Sequence, residues 1–305
     1  MTTNTRVRGL WCATLTPLDR NGAIDTGRFA RHVHDLLARG VEGVAPFGTT
    51  GEGPSFSTVE RQAGLDALLA ASVPASKIVA STGAASISDA VALTRHALAN
   101  GVTRCLVLPP FFFKDVSDEA VFAYFARLVE TVADTRLRLY LYHIPQFSGV
   151  PIRPDVVARL AAALPSVIGG VKDSAGDWSN TAALLAKAPQ LDILVGHEPH
   201  LPRLMREGGA GTICGVANVY PEVVADLLAP GAGAAADARI AAFLDILFRH
   251  PFLPALKAIR AAQLGDDAWR ALRPPWLTLP AAARDELATA LEAARFAMRT
   301  AEAAS

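Results

Sequence analysis

The chain has 305 residues, of which 51% are hydrophobic and 19% charged, with 29 basic side chains against 29 acidic ones. A chain of this length buries about 75% of its unfolded surface, so its core forms without disulfide or metal staples, and its apolar fraction excludes a disordered or low-complexity chain. The balanced charge argues against nucleic-acid binding, which needs a basic stripe, and no apolar run reaches the ~18 residues of a membrane span.

The N-terminal stretch MTTNTRVRGL lacks the apolar run of a signal peptide. Cys12, Cys105 and Cys214 are far apart, each in a short apolar run, which predicts three buried thiols in a reducing, cytoplasmic setting. Lysine is scarce: Lys77, Lys114, Lys172, Lys187 and Lys257 are the only primary amines besides the N-terminus.

Short β-rich runs alternate with longer helical runs. Residues 10–15 form the first expected strand and 25–38 the first helix, with Phe29, Val33, Leu36 and Leu37 on one face and Gly40 as its stop. Strand 41–47 and helix 58–71 follow, then strand 77–81 and helix 86–99, then strand 104–108 and helix 117–133. Next come strand 137–142 and helix 153–163, strand 167–171 and helix 177–187, strand 191–195 and helix 201–207, and strand 211–214 and helix 221–228.

Strands alternating with helices imply parallel pairing with right-handed crossovers. Eight such units make the count of a closed (β/α)₈ TIM barrel. An open doubly wound sheet is the alternative, weakened because no glycine-rich dinucleotide turn follows the first strand. The small-residue stretch PGAGAAADA at 230–238 then joins expected helices at 241–249, 253–264 and 281–298. The expected division is an α/β barrel over 1–230 with a C-terminal helical appendage over 231–305 packed on it.

Active-site groups of such barrels lie at the C-terminal ends of the strands. That rule selects Gly48 to Glu52, Pro109 to Phe113, Tyr142 to Pro145, Lys172 to Ser174, and Gly196 to Glu198. Lys172 follows the apolar run VIGGV, so its ammonium should lose hydration and its pKa fall from about 10.4 toward about 7–8. A neutral amine there forms a Schiff base with a ketone; the alternative is a rim lysine paired with Asp173 or Asp177. Tyr142 ends the neighbouring strand and suits proton transfer, or else plugs the core. The Gly48-Thr49-Thr50-Gly51 loop offers N–H groups and hydroxyls for a carboxylate, or else is a tight turn. His32 and His34 do not share a helix face, and Pro199 disfavours a helical metal pair of His197 and His200.

The pieces GTTGEGPS (48–55), YHIP (142–145), GGVKDSAGD (169–177), GTICGVANVYP (211–221) and LKAIRAAQLG (256–265) together resemble the dihydrodipicolinate synthase / N-acetylneuraminate lyase family of Schiff-base aldolases. The resemblance implies a lyase that acts on pyruvate or on a 2-keto acid yielding it, with no metal or other cofactor, commonly a homotetramer built as a dimer of dimers. By resemblance Lys172 is the Schiff-base lysine and Tyr142 the proton-transferring tyrosine. Thr49 and Thr50 bind the carboxylate, with Thr50 also in the proton relay. Gly196 and Ile213 line the bound keto acid.

Two positions depart from the synthases. Phe112 stands where they carry a tyrosine that reaches into the neighbouring subunit's site, and Phe147 where they carry an arginine for the semialdehyde carboxylate. A charged hydrogen bond is worth about 1.5–3 kcal/mol, so its loss weakens semialdehyde recognition about 10- to 100-fold. The expected substrate is therefore another 2-keto acid, such as a 2-keto-3-deoxy sugar acid or an aryl or alkyl keto acid. His143, Gln146, His197 and His200 are candidates to line a pocket for hydroxyls. Dihydrodipicolinate synthesis is the second reading, and a keto-acid-binding barrel without turnover a third, of another class. Phe111 to Phe113 are expected at a subunit interface, with a contribution to the pocket.

Overall fold

The structure, a computed structural model, describes residues 6–298. The first half of the N-terminal stretch read above and the last residues of the expected appendage, 299–305, lie outside the described residues.

In chain order the elements are β1 (Gly9–Cys12), α1 (Thr26–Ala38), β2 (Gly43–Val44), α2 (Thr58–Ala70), β3 (Ala80–Ser81), α3 (Ile87–Ala99), β4 (Arg104–Val107) and α4 (Asp118–Val132). They continue with β5 (Arg138–His143), α5 (Pro145–Ser148), α6 (Pro154–Ala163), β6 (Ile168–Asp173), α7 (Trp178–Lys187), β7 (Asp192–Val195), α8 (Leu201–Arg206), β8 (Gly211–Cys214) and α9 (Pro221–Leu228). Three further helices close the chain: α10 (Ala234–Leu247), α11 (Phe252–Leu264) and α12 (Ala281–Ala293).

The helices start where side chains can satisfy their free N–H groups. Asp25, Ser86, Ser117 and Asp177 cap α1, α3, α4 and α7, and Ser57 with Glu60 forms a reciprocal capping box on α2. Each helix turns an apolar stripe inward; α1 buries Phe29, Val33 and Leu36.

All eight strands pair in parallel, in the order β2-β1-β8-β7-β6-β5-β4-β3. The two ends of this sheet meet through a parallel bridge between Val44 and Ile78, where the Val79 N–H donates to the Val44 carbonyl at 2.9 Å. The result is the (β/α)₈ TIM barrel. Two apolar shells follow from the alternation of side chains along each strand. Trp11, Val79, Leu106, Tyr140, Leu194 and Ile213 fill the barrel interior. Leu139, Leu141, Val171, Ile193 and the helix stripes fill the layer outside it.

Several boundaries differ from expectation. The strand expected over 41–47 is regular only at Gly43–Val44, because Pro46 has no N–H to give and Phe47 turns into the left-handed region at φ 59°. Lys77 ends a 3₁₀ turn, Ala75–Lys77, instead of opening β3. β6 runs beyond the expected end at 171, so Lys172 lies within the strand. The alanine-rich part of the joint at 230–238 is helical, and α10 starts at Ala234, as alanine's high helix propensity favours. Among the described residues no helix is long and apolar enough to cross a membrane.

Candidate active site

The strand register sets the centre of the site. Tyr142 on β5 lies opposite Lys172 on β6, which lies opposite Leu194 on β7. Lys172 is 4% exposed, and its Nζ sits 4.3 Å from the centroid of the Tyr142 ring. Among the described residues no hydrogen bond or ion pair holds this amine.

The two carboxylates that offered an ion-pair reading point elsewhere. Asp173 accepts from the Ala175 N–H at 3.1 Å, from Asn180 Nδ2 at 2.9 Å and from Thr181 Oγ1 at 2.8 Å. Asp177 is taken up at the start of α7 by the Ser179 N–H and hydroxyl, both at 2.9 Å. Both serve the loop that follows β6, which leaves the lysine to the barrel interior.

Gly196 makes room for that lysine. A Cβ at this position would stand 2.1 Å from Ser174 Oγ and 3.3 Å from Lys172 Cε. Any larger residue would displace the Ser174 side chain and crowd the end of the Lys172 stem.

The loop after β2 brings the hydroxyls. Thr49 Oγ1 and the Tyr142 hydroxyl are 3.2 Å apart and share a proton. The hydroxyl beside Tyr142 is that of Thr49. Thr50 is buried and faces Gly215 on the β8 side. The loop's shape is strongly constrained: Phe47 and Glu52 both sit in the left-handed region, at φ 59° and 56°, which non-glycine residues adopt only when their surroundings demand it. The Gly51 and Gly53 N–H groups both donate to the Gly48 carbonyl, at 3.1 and 3.0 Å, and Thr16 Oγ1 donates to the Gly51 carbonyl at 2.7 Å. Gly53 passes so close to the backbone of Phe47 that a Cβ would meet its carbonyl oxygen at 1.8 Å.

A buried ion pair completes the fastening. Glu52 accepts from Lys257 Nζ on α11 at 2.5 Å and from the Arg273 N–H at 3.0 Å. Both side chains of the pair are fully buried. Burial pushes the Lys257 pKa down and the Glu52 carboxylate pushes it back up. The sequence places Lys257 on a helix and gives no hint of a partner 205 residues away.

The pocket, about 210 Å³, opens at the C-terminal strand ends. It gathers all six expected site residues: Thr49, Thr50, Tyr142, Lys172, Gly196 and Ile213. Gln146 and His197 also line it, whereas His143 and His200 do not. His143 Nδ1 accepts from the Ile152 N–H at 3.0 Å behind the strand, and burial lowers its pKa. His200 packs against the rings of Trp178 and His197.

Sequence reasoning missed Phe248 and Phe252, which reach the pocket from the C-terminal helices, and placed Glu198 among the strand-end candidates without giving it a role. Glu198 is fully buried at the end of β7. Burial raises its pKa to about 7, against the pull of the Val216 N–H, Cys214 and the Lys172 charge. Its position two residues after Gly196, just past the end of β7, was the available signal. A wider hollow of about 370 Å³ at the opposite barrel end holds Arg6, Arg8, Lys77 and Arg104, and there Lys77 lies 3.7 Å from Glu42. Phe112 is 72% exposed and lies outside the pocket lining.

A parallel eight-stranded barrel with a buried unpaired amine, a phenol and two hydroxyls gathered at its C-terminal rim defines a barrel of the enzyme class. The particular family follows from comparison. Residues 6–294 match the model of the dihydrodipicolinate synthetase family, and the chain belongs to that family and is a lyase of it. It is 37% identical over 278 residues to a DapA-like lyase of Chloroflexus aurantiacus, covering 89% of this chain and 92% of that one. It is 33% identical over 216 residues to the 4-hydroxy-tetrahydrodipicolinate synthase of Hyphomonas neptunium, covering 70% and 71% of the two chains. The crystal structure of dihydrodipicolinate synthase from Agrobacterium tumefaciens superposes with a TM-score of 0.89 at 36% identity, covering 93% of this chain and 98% of that one.

Proposed function

We propose that the protein is a Schiff-base-forming aldolase or dehydratase that acts through Lys172 on pyruvate or on a 2-keto acid that yields it. The observation that carries this reading is the Lys172 amine, buried beside the Tyr142 ring with no ion pair or hydrogen bond to a carboxylate among the described residues. A structural lysine at such depth would be paired.

The neutral amine adds to the C2 carbonyl, and the carbinolamine loses water to give an iminium. In cleavage, the C3–C4 bond breaks and its electron pair flows into the iminium, forming an enamine. Tyr142, which has given its proton to the departing carbinolamine hydroxyl, takes the proton of the C4 hydroxyl, and an aldehyde departs. The enamine takes a proton at C3, and water hydrolyses the imine to release pyruvate and regenerate Lys172. In dehydration, C3 first loses a proton, and the enamine expels the C4 hydroxyl as water.

Thr49 is the partner that shares Tyr142's proton, a reading supported by their 3.2 Å contact. Thr50 and the loop N–H groups hold the keto-acid carboxylate, while Gly196 and Ile213 shape the space around it. The imine itself is the electron sink, so the reaction calls for no metal or other cofactor. The protein is proposed to work in the cytoplasm, consistent with three free buried cysteines, as a homotetramer. Synthesis of 4-hydroxy-tetrahydrodipicolinate is the second reading, favoured by the names of relatives and disfavoured by the apolar Phe147 at the pocket.

The test is borohydride reduction in the presence of pyruvate, followed by peptide mapping. A reduced adduct on Lys172 is expected. An intact Lys172 under saturating pyruvate would overturn the reading.

A further inference from the structure

We infer that the outer half of the pocket is a subsite for an apolar, ring-bearing tail of the 2-keto acid, with Phe147, Phe248 and Phe252 as its wall. The inference rests on the Schiff-base reading above and specifies the substrate class.

Four observations converge. Phe147 and Phe248 are 59% and 60% exposed, yet both line the pocket that contains Lys172. Large apolar side chains left in water around a concave site mark a surface that a ligand covers. Secondly, the rings of Phe248 and Phe252 lie nearly parallel, 22° apart with centroids at 6.0 Å, and offer aromatic surface to a flat partner. Towards the lysine, Ile144 and Ile213 continue the apolar lining.

Much of the polar lining is already engaged, with His197 and the Ser174 and Thr50 hydroxyls the exceptions. Gln146 Nε2 donates to the Ser174 carbonyl at 2.6 Å, and Glu198 is held by the Val216 N–H and Cys214. A polyhydroxylated tail would give up water and find few replacement partners, which a binding site penalises heavily. Finally, among the described residues no lysine or arginine other than Lys172 lines the pocket. A second carboxylate or a phosphate on the tail therefore has no cation to meet.

The experiment measures borohydride trapping on the whole protein, because Schiff-base formation needs no cleavage of the tail. Three probes are titrated: pyruvate, 2-oxo-4-phenylbutanoate and 2-keto-3-deoxygluconate. The phenyl probe is expected to half-saturate trapping at a concentration about 10-fold below the deoxygluconate. In Phe248→Ala that ratio should fall toward one; this ring is largely exposed, so its loss leaves the fold intact. Phe147→Ala provides an independent second reading of the same ratio. Equal half-saturation for the two tailed probes, preference for the deoxygluconate, or a ratio unmoved in both variants overturns the apolar subsite while leaving the Schiff base in place. Absence of any adduct, with pyruvate included, overturns the Schiff-base reading and this inference with it.

Discussion

Two lysines of this protein are buried, and they differ in almost everything else. Lys257 is on α11, fully enclosed, with its charge set against Glu52 at 2.5 Å and a further bond to the Ala271 carbonyl at 2.7 Å. Lys172 is on β6, nearly as enclosed, with the face of Tyr142 at 4.3 Å and no carboxylate bound to it. Burying a charge is costly unless it is paired and hydrogen-bonded. One lysine therefore meets the requirement of a structural ion. The other keeps its amine open to react, with Asp173 and Asp177 both engaged elsewhere. Burial alone does not separate structure from chemistry; the partner does.

The comparison breaks most sharply at the two amines. Lys172→Ala should reduce turnover of any 2-keto acid by more than about 1,000-fold, with the urea midpoint held or raised, since a costly buried amine is removed. Steady-state kinetics and denaturant titration of one preparation check both halves, and retained turnover would refute the assignment. Lys257→Met should do the reverse. It strands the Glu52 carboxylate, at a cost of about 3–5 kcal/mol in unfolding free energy. Adding Glu52→Gln to it should restore at least half of that loss.

Tyr142→Phe sharpens the comparison at smaller scale. The ring beside Lys172 stays, but the hydroxyl shared with Thr49 is gone. A fall of about 100-fold in kcat is expected, with trapping by borohydride slowed but still present. An unchanged kcat would show that the proton travels by another route.

The smallest effect belongs to Glu198, whose pKa burial raises from the ordinary 4.5 to about 7. The folded protein keeps this proton where the unfolded chain has lost it. The stabilisation is therefore full below about pH 4.5 and is lost as pH rises through about 7, a difference of about 3 kcal/mol at most. Glu198→Gln carries no such dependence, so its melting temperature should exceed that of the parent at pH 8 and match it at pH 4.5. Paired thermal melts at both pH values measure this directly.

The fold was largely legible, because a short β-rich run followed by a helical stretch repeats eight times along the chain. Strand lengths were not. Residues 41–47 look like a full apolar strand, and only the backbone reveals that Pro46 and Phe47 break the ladder early. Five of the six pocket residues were legible for a geometric reason: strand ends in a barrel converge, so a linear rule selects a spatial cluster; Ile213 came only from the family resemblance. Which of Thr49 and Thr50 touches the Tyr142 hydroxyl was not legible, since the conformation of their loop is set by Thr16, Lys257 and Arg273. Phe248 and Phe252 were invisible for a related reason. On the sequence they look like ordinary members of apolar helix stripes, and only the angle at which α10 hands over to α11 carries them to the pocket mouth.

The Glu52–Lys257 pair has a consequence for how such chains can be cut and recombined. The threonine loop after β2 is clasped by α11 and by the Arg273 backbone, while the Arg273 side chain reaches back to Glu60 and the Gly22 carbonyl. A gene shortened after β8 would encode a barrel whose threonine loop has lost its anchor, not a smaller version of the same protein. Shuffling between relatives must likewise carry the loop and the helix as one inherited unit, although more than two hundred codons separate them.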